Sequence, residues 1–185
     1  RGVDAAYAPL LAAVEMEAWT RSEDPKDHLA QHGELLRPEL VSVLREQAAT
    51  GDASADVWVA MLQLAQRGED ALAFQAMAQP ATVLDHLRAA SRSRDVDRLA
   101  ALATIVVRSP QADDRVTRTA MVGRALAFVL DKRPDEADSL MAVLPARLPT
   151  EERDALCSAV GDAIACQPLA AAELARWIPR LQAIG

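Results

Sequence analysis

His28 and His32 are the residues whose type and spacing come nearest to a chemical site. Four apart, they share one face of a helix, the spacing by which two imidazoles grip a single zinc ion. A third ligand would have to come from Asp24, His86 or a cysteine elsewhere. Between the histidines stand Leu29, Ala30 and Gln31, so the glutamate that acts as general base in a His-Glu-x-x-His zinc protease is missing. A two-turn surface helix ending in a histidine beside the negative end of its dipole explains the pair without a metal. No metal ligand and no cofactor is assigned on this evidence.

Arg88, Arg92, Arg94 and Arg98 form the densest basic cluster, with i to i+4 spacings at 88/92 and 94/98. Asp85, Asp95 and Asp97 lie among them and no aromatic residue interleaves, so solvated intrahelical ion pairs are expected rather than a nucleic-acid stripe. Of the neighbouring carboxylates, Asp113/Asp114 and Glu151/Glu152 stand where helices begin and read as caps. Glu15 and Glu17 are two apart and do not face each other on a helix. No Gly-x-Ser-x-Gly elbow and no glycine-rich phosphate loop occurs. Cys157 would be a nucleophile only if a histidine reached it through the fold, and the default is an inert buried thiol. Trp19, Trp58 and Trp177 fall on apolar helical faces and are expected to anchor a core. No catalytic residue is assigned, and the chain is expected not to be an enzyme.

The elements that position these residues follow from composition. The 185 residues are 51% hydrophobic but only 3% aromatic, and alanine and leucine dominate the apolar part. Alanine is the best helix former and a poor strand former, and 7 glycines are too few for many hairpins. The length suits one domain over 1–185, with sub-layers at about 1–80 and 81–185. A net charge of −7 provides no overall field for nucleic acid or an anionic membrane. No stretch approaches the ~20 apolar residues of a membrane span. Cys157 and Cys166, nine apart, are too distant to bridge on one helix, and free thiols suit a reducing cytoplasm. Because it begins at Arg1 instead of methionine, the chain is expected to be either a domain excised from a longer protein or a processed product.

Along the chain, Leu10, Leu11, Val14 and Trp19 form an apolar stripe on a helix from Pro9 to Trp19. Asp24 and Pro25 cap and open a second helix, which Gly33 should stop in the left-handed conformation. Helices follow from Pro38 to Thr50-Gly51, from Ser54 or Asp56 to Gly68, from Ala71 to Gln79 and from Thr82 to about Ser91. Residues 99–107 are apolar all round and predict a buried helix whose last four residues could also be strand; 120–130 should be equally central. Pro134, Thr150 and Pro168 open the last helices.

One stretch also resembles a known family. Glu17-Ala18-Trp19, His28-Leu29-Ala30-Gln31-His32-Gly33-Glu34-Leu35-Leu36 and a helix ending Thr50-Gly51-Asp52 resemble the Leu-x-x-His-Pro-Glu-Leu-Leu modules of large bacterial proteins. Those proteins are built from tetratricopeptide-like repeats, and some carry a caspase-like protease domain. The resemblance spans about residues 16–68, has Gly33 where the family has proline, and brings no catalytic residue with it. It implies a helical interaction or sensing region.

The expected fold is therefore all-α. Roughly ten helices would pair antiparallel, stacked as a degenerate tetratricopeptide-like solenoid or gathered into an orthogonal bundle. The expected function is non-enzymatic binding of a peptide or partner domain. The alternative is a closed helical sensor bundle holding a small apolar ligand.

Overall fold

The computed structural model describes residues 2–131, 133–142, 150 and 153–154. Among them are nine α-helices and no strand. α1 (Gly2–Thr20), α2 (Pro25–Gln31), α3 (Pro38–Ala49) and α4 (Ala53–Gln66) form the first half. α5 (Asp70–Ala78), α6 (Leu84–Ser93), α7 (Val96–Arg108), α8 (Asp114–Leu130) and α9 (Pro134–Met141) complete it. Single 3-10 turns at Gly33–Leu36 and Pro80–Val83 precede α3 and α6. The helices proposed after Thr150 and Pro168, with both cysteines and Trp177, lie largely or wholly outside the described residues.

Capping chemistry sets most boundaries. Asp24 accepts from Asp27 N at 2.9 Å with Pro25 in the first turn, as expected. Asp52, Asp95 and Asp113 accept first-turn amides of α4, α7 and α8 in the same way. Gly51 and Gly68 end α3 and α4 at φ 98° and 74°, where a Cβ would be strained. Gly33 does not behave like them. It opens a 3-10 turn with no positive φ, and α2 ends at His32, whose amide bonds back to His28 O. At the end of α6 it is Arg94 that takes the left-handed conformation, at φ 55°.

α4 and α7 run antiparallel, because ion pairs join them at both ends. Arg67, just after α4, reaches Asp95 at the start of α7, while Asp56 near the start of α4 faces Arg108 at the end of α7. α8 packs on the other side of α7; α3 packs on α4, and α1 on α3. α5 bridges α4 and α7, and α6 lies against α7 and α8. The segment 99–107 is helix throughout, not strand, and Leu99, Leu102 and Ile105 are fully buried. The 120–130 segment is equally central, contributing Ala120, Val122, Ala125, Leu126, Ala127 and Val129 to the core. Both are alanine-rich, which lets helix axes approach closely.

α1 departs from its expected pattern. It starts at Gly2, so Pro9 lies within the helix rather than at its head. The supposed stripe divides between two faces. Ala12, Met16 and Trp19 turn into the core, whereas Leu10, Leu11 and Val14 turn outward together with Tyr7. The inward set follows i, i+4, i+7, and the outward set lies on the opposite side of the helical wheel.

Gly123 on α8 faces Leu99 and Ala103 of α7 and Leu87 of α6. A Cβ placed there would stand 3.4, 3.6 and 3.8 Å from their side-chain carbons. Those are ordinary contact distances, so alanine fits, while helical glycine costs about 0.5–1 kcal/mol of backbone entropy. Gly123→Ala should therefore stabilise the chain by about 0.5–1 kcal/mol in urea unfolding followed by circular dichroism. Gly123→Leu should destabilise it by roughly 1–3 kcal/mol through overpacking. A loss of stability in the alanine variant would contradict this packing.

Candidate functional site

His28 lies within α2 and His32 just past its end as the C-cap, their ring centroids 4.4 Å apart and tilted by 32°. His32 Nδ1 is 3.0 Å from Glu34 Oε1. A backbone hydrogen bond, and then His32, hold the Glu34 carboxyl below its ordinary value. His86 lies on α6, where its Nδ1 meets Arg98 Nη2 at 3.2 Å. Among the described residues no three His, Cys, Asp or Glu side chains gather in a way that could hold a metal ion.

The arginine cluster is dispersed by the fold. Arg94 caps α6 and Arg98 belongs to α7, so they share no helix. Arg88 makes the intrahelical pair expected of the group, with Asp85 at 3.1 Å. Arg98 is instead an inter-element tie, with Nε 3.0 Å from both carboxylate oxygens of Glu69. Arg67 donates through both terminal nitrogens to Asp95, with Nη1 to Oδ1 at 2.8 Å. Together Arg67, Glu69, Asp95 and Arg98 clasp the α4–α5 link to the head of α7. Asp113 is a cap, and Glu15 and Glu17 are exposed on α1.

The candidate site lies at the other end of the α4–α7 pair. There an open groove of about 490 Å³ runs between the first turns of α4, the face of α5 and the end of α7. Val57, Trp58 and Met61 form one wall; Phe74 and Met77 form the other, and Thr20 and Arg108 sit at its edges. Trp19, fully buried, fixes Phe74 edge-on at 5.2 Å, and its own Nε1 donates to Pro25 O at 3.0 Å. Ser109 Oγ donates to Met77 O at 2.6 Å and so pins the end of α7 to α5. Trp58 is partly buried: it packs against the core, as expected, and also lines the groove.

Among the described residues lining the groove, Arg108 is the one that carries a charge. Its Nη2 is 3.8 Å from Asp56 Oδ2, and the same oxygen accepts from Arg124 at 3.3 Å. Two guanidiniums thus share one carboxylate, and Asp52, which caps α4 beside Ala53 and Ser54, places a second carboxylate at this end of α4. Reading the residues alone missed this site. Val57, Trp58 and Met61 look like any broad core face, and nothing local marks Arg108 or ties α5 to the end of α7.

The second unusual surface is the outer face of α1, where Tyr7, Leu10, Leu11 and Val14 are between 56 and 61% exposed. No helix among the described residues is long and apolar enough to cross a membrane. Comparison with family models, curated proteins and solved structures finds no match to this chain.

The Arg67–Asp95 bonds carry a pH signature. They, and then the Arg98 amide, hold the Asp95 carboxyl below its ordinary 3.8, with partial burial opposing. A depressed folded-state value contributes stability that is complete above the unfolded value and lost as pH falls through the folded one. Asparagine also caps helices, so Asp95→Asn removes the charge and spares the cap. The stability gap between wild type and Asp95→Asn should be constant above about pH 5 and should shrink steadily below pH 3.8. A gap unchanged down to the acid-unfolding limit would show that the pair adds nothing.

Proposed function

We propose that this chain is a non-enzymatic protein-interaction domain of the cytoplasm, its helix pairs stacked in a tetratricopeptide-like manner, that packs a partner helix on the outer face of α1. One observation carries the reading. Tyr7, Leu10, Leu11 and Val14 recur at i, i+3, i+4 and i+7, and each is more than half exposed. A helix apolar on opposite sides belongs between two layers, and the described residues supply only one. Fully burying a leucine is worth about 1.5–3 kcal/mol, so four such side chains are a substantial drive to associate. The spacing suits a partner helix presenting its own apolar stripe. The non-enzymatic part is supported by the employment of the candidate groups: Asp24, Asp95 and Asp113 cap helices, and Arg88 and Arg98 are ion-paired.

The alternative, a sensor bundle holding a small apolar ligand, is favoured by one feature. The groove volume of about 490 Å³ falls in the ligand-pocket range of roughly 300–1,000 Å³. Its open side and methionine walls suit protruding side chains better than an enclosed molecule.

The test is Leu10→Glu and, separately, Leu11→Lys. Both positions are exposed, so unfolding free energy should change by no more than about 0.5 kcal/mol. With the unchanged chain as bait in extract of its native host, one stoichiometric protein should be captured, and either variant should lose it. Capture of nothing, or equal capture by both variants, would overturn the reading.

A further inference from the structure

The groove lies on a different face from the outer stripe of α1, so it can be tested independently. Its walls are set in advance: Phe74 is held edge-on by Trp19, and Met77 is fixed through its carbonyl by Ser109. Trp58 and Met77 keep part of their surface free at the opening. Rigid aromatic walls with an adaptable methionine match the hot-spot chemistry of peptide-binding surfaces. Its size admits a few side chains rather than a whole helix, so the occupant inserts anchors and leaves its backbone outside.

Charge identifies the occupant further. Arg108 stands at the rim with its side chain 44% exposed, beyond hydrogen-bond reach of an Asp56 carboxylate that Arg124 already engages. A carboxylate arriving beside the groove would gain a bidentate partner at no cost to an existing hydrogen bond. A lysine arriving there would meet the Arg108 guanidinium, while the Asp56 carboxylate is already shared between Arg108 and Arg124. Nucleic acid does not fit, since a chain of net charge −7 offers it one rim arginine and no basic stripe.

We propose that the groove between α4, α5 and the end of α7 binds an acidic amphipathic segment of a partner protein, two apolar side chains entering between Trp58 and Met77 and an Asp or Glu pairing with Arg108.

The experiment is selection of a yeast-displayed library of 16-residue helical peptides on the full chain, with counter-selection on Trp58→Ser. Circular dichroism and urea unfolding of that variant and of Arg108→Gln, which also loses the Asp56 tie, establish that both keep the fold. Recovered peptides should combine two apolar residues with a neighbouring Asp or Glu. Their affinity should fall roughly five- to tenfold in Arg108→Gln. Changing the peptide carboxylate to its amide should produce the same loss, and the two changes together should add little to either. Groove-dependent peptides without acidic residues, or indifferent to Arg108→Gln, would overturn the charge assignment while leaving the groove as a binding site. Failure to recover any groove-dependent peptide would overturn the site itself. Self-association of the wild type that Arg108→Gln abolishes would assign the groove to a second copy and overturn a foreign partner. None of these outcomes bears on the α1 face, which is read by partner capture.

Discussion

Arg67 and Asp95 meet at one end of the α4–α7 pair, and Asp56 and Arg108 face each other at the other end. The spacing of those ties holds α4 and α7 antiparallel and in register, and much else is referred to that register. α5 leaves α4 at the clasped end and runs back alongside α7, so its last turn arrives beside Ser109. α8 covers the far side of α7, with Gly123 admitting Leu99 to close contact. The groove lies where the first turns of α4 meet the last turn of α5 and the end of α7, with Trp58 partly exposed and Met61 buried among its lining residues. Surface ion pairs are individually weak, so the ties select an arrangement, and the buried leucines and alanines between them supply most of the stability.

Helix identity was legible wherever a local device announces it. Asp24-Pro25, Asp113, Gly51 and Gly68 act within one turn of themselves, and the all-apolar 99–107 segment could only be a central element. Gly33 failed for an instructive reason: a glycine permits the left-handed conformation but does not impose it, and here the 3-10 turn is closed by Leu35 and Arg37 amides bonding backwards. The two faces of α1 were conflated because Leu10, Leu11, Val14 and Trp19 are all apolar, and hydrophobicity alone does not say which side meets the protein. Their angular positions divide them, since Trp19 groups with Ala12 and Met16 at i−7 and i−3. The groove was illegible in kind. It joins residues from positions 20 to 108, and only the packing of α5 across α4 and α7 brings them together.

A helix whose outer side faces water is usually polar there, and an exposed apolar patch is the informative exception. α3 and α6 follow that rule, with Arg45, Glu46, Asp85 and His86 turned to solvent. α1, which packs on α3 and α2, breaks it over two turns. Glu15, Glu17 and Arg21 make its C-terminal end polar, where Arg21 lies 3.7 Å from Glu17.

The two surfaces also differ in how they could discriminate between partners. A stripe of Tyr, Leu, Leu and Val gains free energy from almost any apolar helix, so it contributes affinity with little selectivity. The groove is small and has Arg108 at its rim, so any specificity there would come from what it repels as well as from what it holds. Because the chain as a whole is acidic, an acidic partner of the proposed kind would approach against the long-range field and gain only on reaching Arg108. Its selectivity would then reside in dissociation rather than encounter. A partner engaging both faces would combine the affinity of one with the discrimination of the other.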